Sequence, residues 1–142
     1  MATPHYENPA GVSPPLGAYS HVSRAGDLIF VAGQCGFLAD NSVAGADVES
    51  QTIRAFENVR TVLESQGASP QDVTRFVTYL VSADDIPGFY RAREKYFARA
   101  YDELCPPNTL LIVQRLVRPE LLVEIDTTAY LPAATRSTKE DA

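Results

Sequence analysis

The chain has 142 residues and a formal charge of −6, with 45% hydrophobic and 21% charged residues, and its isoelectric point lies near 4.8. That length suits one domain spanning 1–142 with a core of ordinary size, and the composition excludes wholesale disorder and fibrous repeats. The acidic balance argues against a nucleic-acid surface, which needs clustered Lys and Arg to displace counterions from phosphates.

The first fifteen residues and the last ten (133–142) are rich in Pro, Ser, Thr and charge without apolar periodicity, and read as loose tails around a core of about 14–131. From Ala18 the chain alternates through AYSHVSRAG, turns at Ala25-Gly26-Asp27 and continues as DLIFVAGQCG, which predicts a β-hairpin. Between Asp47 and Gln66, apolar residues at Val48, Ile53, Phe56, Val59 and Leu63 form one helical stripe, and Gly67 stands where a left-handed C-cap belongs. After Ser69-Pro70, the β-branched VTRFVTYLV (73–81) reads as a strand. Asp84 and Asp85 then open a second amphipathic helix carrying Ile86, Phe89, Tyr90, Tyr96, Phe97 and Tyr101, stopped before Pro106-Pro107. TLLIVQRLV (109–117) and ELLVEIDTTAYL (120–131) read as two closing strands around Arg118-Pro119.

This order predicts an α+β domain in which two helices cover one face of a mixed sheet. The other face would be left bare, and Val77, Tyr79, Ile112, Val123 and Ile125 are assigned to it as an apolar surface that a homo-oligomer would bury. The one basic cluster, RAREK (91–95), reads as a solvated helix face interleaved with Glu94. Cys35 and Cys105 have neither zinc-site spacing nor disulfide density, so they read as reduced thiols of a cytoplasmic protein. Neither an export signal nor a run of about 18 apolar residues is found, so no membrane span is expected.

The succession GAYS (17–20), GDLIFVAGQ (26–34), the helix containing NVRTVLE (58–64), VTYLVSADDIPGFY (77–90), PPNT (106–109) and LVEIDTTA (122–129) resembles the Rid family of YjgF-type reactive-intermediate deaminases. The resemblance spans roughly residues 14 to 131 and rests on the order and spacing of the motifs. It implies a chorismate-mutase-like α+β fold, a homotrimer whose sheets form a central barrel, and ligand clefts between subunits. It also implies hydrolysis of enamines or imines to carbonyl compounds and ammonia, with no cofactor.

In the deaminating members an arginine in a Pro-Ala-Arg-Ser motif grips the substrate carboxylate through two charge-assisted hydrogen bonds. Asn108 stands at that position here, Ala32 replaces the serine of a Ser-Gly-Gln motif, and Arg93 falls where the family has an asparagine. Three departures in one cleft imply a changed ligand. Arg93 is open to two readings, an anion anchor on a neighbouring wall or a helix arginine paired with a carboxylate. Tyr19 matches the family's cleft tyrosine, and Glu124 the glutamate that holds the hydrolytic water.

Glu124 also interrupts an apolar strand, which suits either a tunable acid–base in a cleft or an edge glutamate paired with Arg115. Gly33 and Gly36 read as backbone-geometry residues whose amides can meet a ligand. Cys35 is either a cleft residue or a small buried thiol, while His21 and Asn58 read as structural. The resulting substrate-binding set is Asn108, Arg93, Ala32, Gly33 and Cys35, with Glu124 and Tyr19 as the catalytic pair. Two functions stay open, a deaminase of altered substrate preference and a non-catalytic metabolite-binding trimer; the acidic charge argues against a third, endoribonuclease activity.

Overall fold

The computed structural model describes residues 3–133. Its strands are β1 (His5–Glu7), β2 (Val22–Ala25), β3 (Leu28–Cys35), β4 (Val73–Leu80), β5 (Asn108–Ile112) and β6 (Val123–Tyr130), with α1 (Val48–Ser65) between β3 and β4 and α2 (Ile86–Ala100) between β4 and β5. They form one six-stranded sheet in the order β1-β2-β3-β6-β4-β5. Every pairing is antiparallel except β4 with β5, which run parallel because α2 carries the chain back across the sheet. This is the mixed, helix-covered α+β sheet predicted from the sequence.

Helix α1 begins where the Asp47 carboxylate accepts the Ser50 N–H at 2.8 Å, satisfying one of the donors left free at a helix start. Gly67 adopts φ +73 just beyond its end, a conformation glycine reaches without steric cost. The buried stripe is Val48, Ala55, Phe56, Val59, Val62 and Leu63. Ile53, predicted within it, lies one position off the stripe and is 38% exposed. On α2, Arg91 and Lys95 pair with Glu49 of α1 on a solvated face. No helix among the described residues is long and apolar enough to cross a membrane.

Three expectations are corrected. First, the N-terminal fifteen residues contain an edge strand, β1, and bury Val12 and Ser13. Main-chain pairing to β2 orders this segment and needs no side-chain periodicity. The expected C-terminal tail falls, from residue 134 on, outside the described residues.

Second, the 109–117 strand ends at Ile112 and the 120–131 strand begins at Val123. Among the described residues strand β5 has β4 as its sole partner, so once Val113 N–H has bonded the Leu80 carbonyl at 2.8 Å the ladder stops. Leu116 and Leu121 then pack with Cys35 and Phe37.

Third, Val123 and Ile125 face the helices and are fully buried, and Ile112 shares that side as the partner of Leu80. The open face instead presents Leu28, Phe30, Val77, Tyr79, Leu111 and Tyr130, alternating with the buried positions of their strands. It also carries Glu124 and Asp126.

Candidate active site

The centre of the site is set by an irregularity in β3. Val31 pairs with Thr127 and Gln34 with Ile125, so Ala32 and Gly33 together stand opposite Asp126 alone. Such two-against-one bulges bend a strand and re-aim its side chains. Beyond the bulge, Cys35 is opposite Glu124. The Glu124 side chain lies across Gly33; a Cβ there would sit 2.7 Å from Glu124 Cδ and 2.8 Å from Cγ. Glycine is therefore what lets this carboxylate lie flat against the strand.

Burial pushes the proton affinity of Glu124 up, and the nearby Asp126 charge adds to the effect, while a hydrogen bond from the Cys35 thiol works against it. Burial first, and then the Glu124 charge, push the Cys35 thiol far above the ordinary thiol range, so it is a protonated donor. Pairing with Arg115 does not occur: Arg115 donates to the Leu116 and Val117 carbonyls at 3.1 and 3.3 Å.

The cleft around Glu124, about 470 Å³, is lined by Tyr19, His21, Ala32, Gly33, Gln34 and Cys35. His21 is buried with Nε2 2.6 Å from the Ser13 carbonyl and Nδ1 3.1 Å from the Gln34 amide nitrogen. Gln34 Nε2 has only hydrogens to give, so Nδ1 accepts and Nε2 carries the ring proton. Gln34 also donates to the Ala32 carbonyl at 3.0 Å, which ties the bulge to this rigid wall. Gln34 is the residue that sequence reasoning left without a role; its signal was a polar side chain within an otherwise apolar strand.

Tyr19 is 48% exposed at the mouth and stands edge-on to His21 at 6.2 Å. Its oxygen accepts the Leu16 N–H at 3.2 Å, leaving its hydroxyl hydrogen to donate.

Asn108 and Arg93 lie elsewhere. Asn108 opens β5 on the helix side of the sheet, where its Oδ1 accepts the Thr78 hydroxyl at 2.8 Å. Its amide hydrogens remain as donors beside a second cleft of about 450 Å³, shared with Arg93, Phe97, Tyr101 and Cys105. The Arg93 guanidinium rests 4.5 Å from the Tyr90 ring centroid and 5.5 and 5.9 Å from those of Phe89 and Phe97. No carboxylate pairs with it among the described residues, so the ion-paired helix arginine is not what forms. Within one chain the predicted set thus divides: Tyr19, Ala32, Gly33, Cys35 and Glu124 share one cleft, and Asn108 and Arg93 share another. Asn58 is structural, donating from the core to the Cys35 and Phe37 carbonyls at 3.0 and 2.9 Å.

A sequence model of the family described as Endoribonuclease L-PSP matches residues 11–131. A RutC family protein of Saccharolobus solfataricus is 36% identical over 113 residues, 78% of this chain and 85% of that protein. The 3-aminoacrylate deaminase RutC of Acinetobacter baylyi is 27% identical over 87% of this chain and 94% of its own length. Among solved structures, a probable translation initiation inhibitor from Rhodopseudomonas palustris superposes with a TM-score of 0.82 at 27% identity, covering 92% of this chain and all of that one. The chain belongs to this YjgF/RutC/Rid family, and its helix-covered mixed sheet is the fold of the family.

Proposed function

We propose that the protein hydrolyses an enamine or imine to a carbonyl compound and ammonia, acting as a cytoplasmic homotrimer without a cofactor. The observation that carries this reading is Glu124, a half-buried carboxylate of raised proton affinity laid over Gly33 at the wall of an open cleft. Protonated Glu124 delivers its proton to the enamine carbon, giving an iminium ion. As a carboxylate it then takes a proton from the water that attacks the iminium carbon. The proton that Glu124 has just gained passes to the carbinolamine nitrogen, ammonia leaves, and the proton of the resulting protonated carbonyl returns to Glu124, with the Tyr19 hydroxyl lining the same cleft.

The similarity to a 3-aminoacrylate deaminase supports an enamine whose carboxylate lies one carbon further from the reacting centre than in a 2-imino acid. Asn108 counts against a 2-imino acid gripped at that position, because an amide lacks the charge that holds its carboxylate, and the carboxylate of 3-aminoacrylate would need another anchor such as Arg93. Arg93 and Asn108 would serve from a neighbouring subunit, since within one chain they and Glu124 occupy separate clefts. The apolar open face supports the assembly, and the free Cys35 and Cys105 thiols support the cytoplasm. Mass in solution is expected at three times the 15.5 kDa chain; a stable monomer would remove the shared cleft.

The test compares wild-type protein with Asn108→Arg on two substrates. One is 2-imino acid made in situ by an amino-acid oxidase and followed by semicarbazide capture, and the other is 3-aminoacrylate followed by ammonia release. The wild type should accelerate loss of 3-aminoacrylate, and Asn108→Arg should improve 2-imino acid turnover by about tenfold or more, the worth of one hydrogen bond to a charged group. No acceleration of either substrate by either protein sinks the hydrolase reading. Asn108 favours the alternative, a metabolite-binding trimer without catalysis, because it stands where the resemblance implies an arginine gripping the substrate carboxylate. Binding of 3-aminoacrylate without turnover would establish it.

A further inference from the structure

We propose that Cys35 is a positioning residue for Glu124, its thiol donating to the carboxylate and fixing which oxygen is left to face the cleft. This rests on the reading of Glu124 as the proton-transfer group. The geometry begins with the bulge. Continued without it, the pairing of Val31 with Thr127 would set Gln34 opposite Glu124; the extra residue at Ala32-Gly33 moves Cys35 into that place instead. Directly opposed side chains on antiparallel strands have Cβ atoms about 4.5–5.5 Å apart, within reach of a bridging S–H. Gly33 keeps the space beside them clear for the carboxylate.

The thiol is held as well as near. Cys35 is 6% exposed and packs with Phe37, Leu116 and Leu121, with Tyr79 and Val113 at the border, so its rotamer is fixed from several elements. Its burial disfavours the thiolate and keeps the sulfur a donor. Around Glu124 stand Asp126 on its own strand, Tyr79 on β4, Arg115 beyond β5, and Tyr19 and His21 ahead of β2. Asp126 repels; Arg115 is spent on the Leu116 and Val117 carbonyls and His21 on Ser13 and Gln34, whereas Tyr19 at the mouth keeps its hydroxyl hydrogen and Tyr79 stands opposite Glu124 on the β4 side. The Cys35 thiol faces the carboxylate from the directly opposed position on β3, in the same cleft, and its interaction there lowers the Glu124 proton affinity.

The experiment follows the Glu124 carboxyl carbon by NMR across a pH titration in the full-length wild type, Cys35→Ser and Cys35→Ala, with the pH profile of 3-aminoacrylate turnover measured in parallel. A donor stabilises the charged form, so its loss in Cys35→Ala should move the Glu124 midpoint up by as much as about one pH unit, and the stronger hydroxyl of Cys35→Ser should move it down. The acid limb of the turnover profile should shift in the same order. Identical midpoints in all three proteins, or equal upward shifts in both variants, would overturn the proposal, because a purely packing role cannot separate serine from alanine in this direction. Ordered midpoints in a protein without turnover would uphold the Cys35–Glu124 link and count against the hydrolase reading alone. Should Cys35→Ala fail to fold, the downward shift in Cys35→Ser decides the matter.

Discussion

Glu124→Gln is expected to lower kcat for 3-aminoacrylate by about 10²–10⁴-fold, the range a positioned acid–base group supplies. Glutamine keeps the length and planarity of the side chain over Gly33, and its amide oxygen can still accept from Cys35. It cannot give up or take a proton in the working range, so the variant isolates proton transfer from shape. The fold should not suffer at neutral pH. Burial and Asp126 raise the Glu124 proton affinity in the folded state above its ordinary value of 4.5. The stabilisation this gives is therefore complete below about that pH, and is lost as pH rises through the folded-state value. Glutamine has no such loss, so denaturant unfolding of the variant should show a flatter pH dependence above pH 4.5 than the wild type. A kcat within a few-fold of wild type would remove Glu124 from the chemistry.

What could be read from the sequence was the part written in local chemistry. Gly67 marks the end of α1 because a positive φ is a property of a single residue, whereas the Asp47 cap emerged only with the structure. The motif order carried the family and hence the sheet. The facing of β6 was harder. Its alternation separates Val123 and Ile125 from Glu124 and Asp126, but which set meets the helices depends on its register with β3 and β4. Those pairings are long-range and leave no mark on the strand itself. The same limit hid the division of the site, since PPNT and VEID are close in sequence while Asn108 and Glu124 point to opposite sides. The bulge was concealed too, because Ala32 and Gly33 fit an ordinary strand until their partner is known. Arg93 did carry a signal: Phe89, Tyr90 and Phe97 stand four before, three before and four after it, the spacings that meet on a helix surface.

The largest stability effect is expected at Phe56. Its ring is 1% exposed and stacks on Tyr96 at 4.9 Å, with Phe97 at 5.3 Å, Phe76 at 5.6 Å and Phe89 at 6.4 Å. These neighbours belong to α2 and β4, so one side chain of α1 joins three elements. Phe56→Ala should cost about 3–5 kcal/mol, combining lost transfer energy with a cavity that rings anchored on separate elements cannot collapse to fill. That is a large share of the roughly 5–15 kcal/mol by which a domain of this size is stable. Denaturant unfolding at fixed protein concentration should show a lower midpoint with an unchanged slope, whereas Ile53→Ala on the same helix should shift it far less. A loss below about 1 kcal/mol would mean that the aromatic cluster repacks. Phe56 lies in the core between sheet and helices and Glu124 on the open face of the sheet, so their effects should be independent. The folded fraction of Phe56→Ala should turn over at the wild-type rate, and Phe56→Ala should cost as much stability in the Glu124→Gln background as alone.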